Sequence, residues 1–289
     1  MILFPDYPFT SRFYDLDGLQ MHYVDEGKGP VVVMLHGNPT WSFYYRNLLN
    51  RLKTSCRVIA VDHIGCGLSD KPQNYPYTLT QHIDNVLSLL SARGVQRFSL
   101  VLHDWGGAIG MGVARCFPDS IEKIVVMNTA AFRSTLIPYR IRLCRLPVVG
   151  EIVVRLFNGF AWPATFMAVS QRMDPKVKAA YLAPYDSWKN RIATHRFVVD
   201  IPLDSTHQSY RKLVEIEESL ATIKSFHIPL LVLWGGRDFC FNDTFYRQWL
   251  EYFPEAETSY YPDAGHYLLE DKKDEVIQRI ESFFLQEKR

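Results

Sequence analysis

The chain has 289 residues, with 47% hydrophobic and 14% aromatic content, enough for a large buried core, and a formal net charge of +1 that gives no electrostatic case for nucleic acid. No apolar run approaches the roughly 18 residues of a membrane span, and the start Met1-Ile2-Leu3-Phe4-Pro5-Asp6 lacks the basic opening and long apolar stretch of a secretory signal. The five cysteines, Cys56, Cys66, Cys116, Cys144 and Cys240, have no C-x-x-C spacing, which suits reduced thiols in a cytoplasmic protein and neither a disulfide framework nor a zinc site, so no metal or cofactor is expected.

From Arg12 to about Glu26 the pattern reads as a strand pair turning at Asp17-Gly18, with Leu19, Met21 and Tyr23 alternating onto one face. Val31-Val32-Val33-Met34-Leu35 is the continuous apolar run of a strand covered on both faces, and it empties into His36-Gly37-Asn38-Pro39-Thr40-Trp41. Strand and helix patterns then alternate through Ile59, Leu100 and Val126, as a parallel sheet requires. The run Phe98-Ser99-Leu100-Val101-Leu102 leads into His103-Asp104-Trp105, and Gly106, Gly107, Ala108 and Gly110 are the small residues a sharp strand-to-helix elbow needs. After Thr129 the pattern changes. From Phe132 to about Leu213 lie helical stretches rich in aromatic and basic residues, which predicts a helical cap (132–213) inserted into a core made of 1–131 and 214–289. Within the cap, Tyr139-Arg140-Ile141-Arg142-Leu143-Cys144-Arg145 reads as an amphipathic helix with its arginines outward, contact with a membrane surface or a partner being the second reading. Pro229-Leu230-Leu231-Val232-Leu233-Trp234-Gly235 is another buried strand followed by Asp238, and Tyr261-Pro262-Asp263-Ala264-Gly265-His266 sets a histidine on a loop before a final amphipathic helix.

Asp104 stands where a G-x-S-x-G elbow carries serine, with Leu102 replacing the first glycine. A carboxylate there can displace a leaving group from saturated carbon and become an alkyl ester, although an aspartate at a helix start is also an ordinary N-cap. The chain order Asp104, Asp238, His266 is nucleophile, acid, histidine, as in α/β-hydrolases. In that scheme His266 activates the water that cleaves the ester and Asp238 fixes its tautomer. Asn38 and Trp105 are neutral donors suited to a leaving halide or a developing carboxylate or alkoxide, with an Asx-turn and core packing as their plain structural roles. Cap residues Phe132, Leu136, Phe160, Trp162, Phe166, Met167, Val169 and Tyr181 are candidates to line a dry pocket for a small hydrophobic substrate, only a minority of them in contact with it. Cys240, two residues past Asp238, is a further lining candidate.

His36-Gly37-Asn38-Pro39-Thr40-Trp41, Asp62-His63-Ile64-Gly65-Cys66-Gly67-Leu68-Ser69-Asp70-Lys71-Pro72, His103-Asp104-Trp105-Gly106-Gly107 and Gly265-His266 together resemble the haloalkane dehalogenase family over nearly the whole chain. The resemblance implies an α/β-hydrolase fold: a mostly parallel eight-stranded sheet flanked by helices, with an inserted helical cap. The stretch Ile124-Val125-Val126-Met127-Asn128-Thr129-Ala130 offers no carboxylate, so Asp238 must be the acid, and with Asn38 and Trp105 this looks like the third branch of the family. That branch includes the β-lactone decarboxylases of bacterial olefin biosynthesis. Tyr181-Leu182-Ala183-Pro184-Tyr185-Asp186-Ser187-Trp188-Lys189-Asn190-Arg191 and Asn128-Thr129-Ala130-Ala131-Phe132 look closest to those enzymes. The resemblance therefore implies decarboxylation of cis-3,4-dialkyl β-lactones to cis-olefins, in assembly with other enzymes of that pathway. Halide release from haloalkanes is the alternative. Epoxide hydrolysis, with Tyr139, Tyr181 or Tyr185 as the acid, and a non-catalytic binding fold remain open at this point.

Overall fold

The computed structural model describes residues 4–285, so Met1, Ile2 and Leu3 of the N-terminal stretch read above lie outside the described residues, as do the last four. Eight strands, β1 (Arg12–Leu16), β2 (Leu19–Glu26), β3 (Val31–Leu35), β4 (Arg57–Val61), β5 (Phe98–Asp104), β6 (Ile121–Thr129), β7 (Leu230–Gly235) and β8 (Glu257–Tyr261), form one sheet in the order β1-β2-β4-β3-β5-β6-β7-β8. β2 pairs antiparallel with β1 and β4, and every later pairing is parallel. At the β1–β2 turn Asp17 and Gly18 both have positive φ, 51° and 90°, and Asp15 Oδ1 accepts the Gly18 N–H at 2.8 Å.

Helices cover both faces, which is why the central strands carry apolar runs that do not alternate with polar residues. Val33, Leu35, Leu100, Leu102, Val126 and Val232 join one buried cluster. Their neighbours Val32, Met34, Val101, Val125, Leu231 and Leu233 join the other, on the opposite face. In β2 the expected alternation holds for Met21 and Tyr23, yet Val24 and His22 are buried as well, because the second face is also covered.

Between β6 and β7 the chain forms helices Tyr139–Cys144, Ala161–Met167, Pro175–Leu182 and Ile192–Val199 with shorter turns, and no strand occurs there among the described residues. Helix Tyr210–Ser225 straddles the expected end of the insert at residue 213. Its Ile216 sits by Gly112 of helix Trp105–Cys116, where an added Cβ would meet Ile83 and Ile216.

Just past β4, Asp62 is fully buried and ties the sheet to two loops: its Oδ1 accepts from the Ser42 N–H at 2.6 Å, and its Oδ2 accepts from the Leu68 N–H at 2.9 Å and contacts His22 Nδ1 at 2.8 Å. Burial pushes this carboxyl up, but the His22 ring and these hydrogen bonds outweigh it and hold the pKa at about 2, below the usual 3.8. A carboxyl depressed on folding adds stability above its unfolded pKa and loses it as pH falls through the folded one. Asp62→Asn is therefore expected to lower the unfolding free energy by at least about 2 kcal/mol at neutral pH, read by denaturant titration. The gap from the parent should close as pH drops from 3.8 towards about 2. A gap independent of pH would assign the loss to packing instead.

Candidate active site

β5 ends at Asp104, whose backbone turns sharply into helix Trp105–Cys116 with φ 53° and ψ −127°. This positive φ is costly for a residue with a side chain and persists only because its surroundings enforce it. Glycines make the approach possible: a Cβ on Gly106 would strike the Leu35 carbonyl of β3, and one on Gly37 would strike the Asp104 carboxylate. Thr129 at the end of β6 donates its hydroxyl to the Asp104 carbonyl oxygen, and a Cβ on Gly107 would collide with that hydroxyl.

The three residues expected to act together meet at this elbow. His266 Nδ1 lies 2.6 Å from Asp238 Oδ2, and since a carboxylate only accepts, that nitrogen carries the proton. His266 Nε2 then faces Asp104 Oδ2 at 3.5 Å. Asp238 Oδ1 is held by the N–H groups of Cys240 at 2.7 Å and Phe241 at 3.0 Å. The Phe241 ring stacks on His266 with centroids 5.7 Å apart, and the His103 ring nitrogen Nε2 meets the His266 carbonyl oxygen at 2.9 Å. Burial drives His103 well below the usual histidine range, so it is a neutral support.

Burial also pushes His266 down, but the charges and hydrogen bonds of Asp238 and Asp104 outweigh it and raise its pKa to about 10. The two carboxylates thus favour a proton on both ring nitrogens. Neutralising Asp104 would remove one of them and lower the proton affinity of His266.

Asn38 does two jobs. Its backbone N–H donates to Asp104 Oδ1 at 2.6 Å, and its side-chain Nδ2 donates to the Thr194 carbonyl oxygen of the cap at 3.0 Å. The amide expected as a donor in the site is thus committed in part to the cap, while its buried Oδ1 has no partner among the described residues. Trp105 packs on Phe197 with centroids 5.4 Å apart, which is the packing role expected of it. Both residues line a cavity of about 480 Å³ that also holds Asp104 and His266.

Of the cap candidates, Phe132, Leu136, Phe160 and Met167 line this cavity, together with Cys240. Trp162 and Phe166 instead stand half exposed, Val169 packs in the core below, and Tyr181 donates to Glu270 Oε1 at 2.5 Å. The cap tyrosines considered as acids are elsewhere too: Tyr139 is exposed, and Tyr185 donates to the Thr40 carbonyl oxygen at 2.9 Å. None of these three lines the cavity, so none of them is placed to protonate an epoxide oxygen. Sequence reading missed Asn128. Its Nδ2 donates to the Gly235 carbonyl oxygen at 3.1 Å and its Oδ1 accepts the Gly235 N–H at 2.8 Å, clamping β6 to the strand that carries Asp238. The signal was an amide directly after the apolar run Ile124-Val125-Val126-Met127.

The charge coupling is measurable. Asp104→Asn, which carries the charge of the ester, is expected to lower the His266 pKa from about 10, read by NMR titration of its ring protons. An unchanged value would mean that Asp238 alone sets it.

Residues 30–273 match the family model described as alpha/beta hydrolase fold. A cis-3-alkyl-4-alkyloxetan-2-one decarboxylase of Shewanella oneidensis is 44% identical, over 96% of this chain and 88% of that protein. The enzyme of the same name from Xanthomonas campestris is 41% identical, over 97% of each. Haloalkane dehalogenase 2 of Mycobacterium bovis is 30% identical, over 95% of this chain and 94% of its own length. Among solved structures, a haloalkane dehalogenase from Agrobacterium tumefaciens superposes with a TM-score of 0.84 at 25% identity, over 95% of each chain. With an aspartate at its elbow and relatives of both kinds along almost its whole length, this chain belongs to the alpha/beta hydrolase fold family, alongside the oxetanone decarboxylases and haloalkane dehalogenases.

Proposed function

We propose that the protein decarboxylates cis-3,4-dialkyl β-lactones to cis-olefins and carbon dioxide, with Asp104 as nucleophile, Asp238 and His266 completing the catalytic set, and Asn38 and Trp105 as donors to the developing anion. The observation that carries the reading is the likeness, above 40% and end to end, to two proteins named for this activity. The site supports it: a carboxylate on the floor of an apolar cavity suits an uncharged, two-tailed substrate.

Asp104 Oδ2 attacks the saturated ring carbon that bears the ring oxygen, from the face opposite that oxygen. The carbon–oxygen bond breaks with its electron pair, leaving a free carboxylate on the neighbouring carbon and an ester on Asp104. Those two groups then stand anti to each other. Loss of carbon dioxide delivers the carbon–carbon bonding pair into the new double bond and expels Asp104 as carboxylate. Inversion followed by anti elimination keeps both alkyl groups on one side, so a cis lactone gives a cis olefin. Water is not consumed. The His266 imidazolium beside Asp104 favours its departure as an anion, which suits a histidine held protonated. The same reading places the protein in the cytoplasm, beside the enzymes that make the lactone.

Haloalkane hydrolysis is the second reading, favoured by the 30% identical dehalogenases and the same Asp104 and donor pair. There His266, freed by esterification of Asp104, would direct water onto the ester.

Two substrates separate them. Purified protein given a cis-3,4-dialkyl β-lactone is expected to release alkene, followed by gas chromatography, and Asp104→Ala should cut the rate by about 10³-fold or more. Bromide release from a long-chain bromoalkane with the lactone untouched would establish the dehalogenase instead. In that case His266→Gln should accumulate an alkyl adduct on the peptide containing Asp104, seen by mass spectrometry.

A further inference from the structure

We propose that the cap face around the cavity mouth docks on an anionic lipid bilayer, so that substrate enters the cavity from the membrane. The uptake half of this rests on the lactone reading; the docking half does not.

Leu136, Leu143, Val149 and Val153 line the cavity and are themselves exposed, so they mark its mouth. Beside them Tyr139 and Phe157 are more than 70% exposed, Val148 69% and Leu156 57%, with Trp162 and Phe166 half exposed. Arg140 Nη1 touches Met167 Sδ at 3.7 Å, which brings helix Tyr139–Cys144 against helix Ala161–Met167 and joins these residues into one surface. A soluble protein rarely leaves so continuous an apolar patch uncovered.

Charge selects the occupant. Residues 132–150 contain four arginines and neither aspartate nor glutamate. Arg133 pairs with Glu217 and Arg145 donates to the Ile201 carbonyl oxygen, but among the described residues Arg140 and Arg142 make no ion pair. Lys178 Nζ adds a third cation, 5.3 Å from the Trp162 ring and 5.7 Å from that of Phe166. A second copy seated face to face would bring these cations against their own kind, whereas anionic headgroups complement them and the aliphatic crest between them enters the acyl boundary. No helix among the described residues is long and apolar enough to cross a membrane, so the contact is peripheral. The arrangement leaves the mouth facing the phase in which a two-tailed lactone dissolves.

Flotation of purified protein with phosphatidylcholine vesicles containing about one third phosphatidylglycerol tests the docking without substrate. Co-flotation that falls sharply with pure phosphatidylcholine is expected. Arg142→Gln should weaken it about fivefold, the worth of one basic residue at such a surface, and Phe157→Asp by more. Neither residue lines the cavity, so both variants should keep the parent circular dichroism and its rate on a short, water-soluble lactone, while losing rate on a long-chain lactone delivered in vesicles. Protein that stays below the anionic vesicles overturns the proposal. So does a Phe157→Asp variant that turns a dimer into a monomer without lipid, which would make the face a self-interface. Flotation with no alkene from any lactone would overturn the lactone reading and leave the docking standing.

Discussion

The site depends on how closely three strand ends can crowd round one peptide. β3, β5 and β6 converge on Asp104, and glycines at 37, 106 and 107 remove the side chains that would keep them apart. In return the crowding holds Asp104 at a φ it would otherwise leave, with its carboxylate above the sheet and its carbonyl bound by Thr129. The carboxylate is therefore aimed by backbone rather than by rotamer choice.

On that rigid base the electrostatics are simple. One imidazole lies between two carboxylates in a buried place, and the pair outweighs the burial. In either proposed reaction an ester on Asp104 would delete one of those charges and lower the proton affinity of His266. This links the two readings of the chemistry: the same charges serve a hydrolase that needs a base late and a lyase that needs only a good leaving group.

The central strands, and the places of Asp104 and Asp238 just after two of them, were legible in the sequence for one reason. Strands buried on both faces must be apolar throughout, so Val31-Val32-Val33-Met34-Leu35 and Pro229-Leu230-Leu231-Val232-Leu233 announce themselves, and Asp104 and Asp238 lie where such runs stop. The cap was legible as helical but not in detail. Its helices Tyr139–Cys144, Ala161–Met167 and Pro175–Leu182 are too short for periodicity to show an inner face, so Trp162 and Met167 looked alike although one is exposed and the other lines the cavity. The clamp made by Asn128 was not legible because its hydrogen bonds replace strand pairing, and a side chain that imitates backbone leaves no pattern.

Asn38 belongs to two bodies at once. Its main chain holds the Asp104 carboxylate and its side chain holds the Thr194 carbonyl oxygen, so the cap and the carboxylate on the cavity floor are tied through one residue. A substitution at position 38 therefore disturbs the cap anchor and leaves the backbone hand-hold on Asp104 in place, which separates the two ties by chemistry.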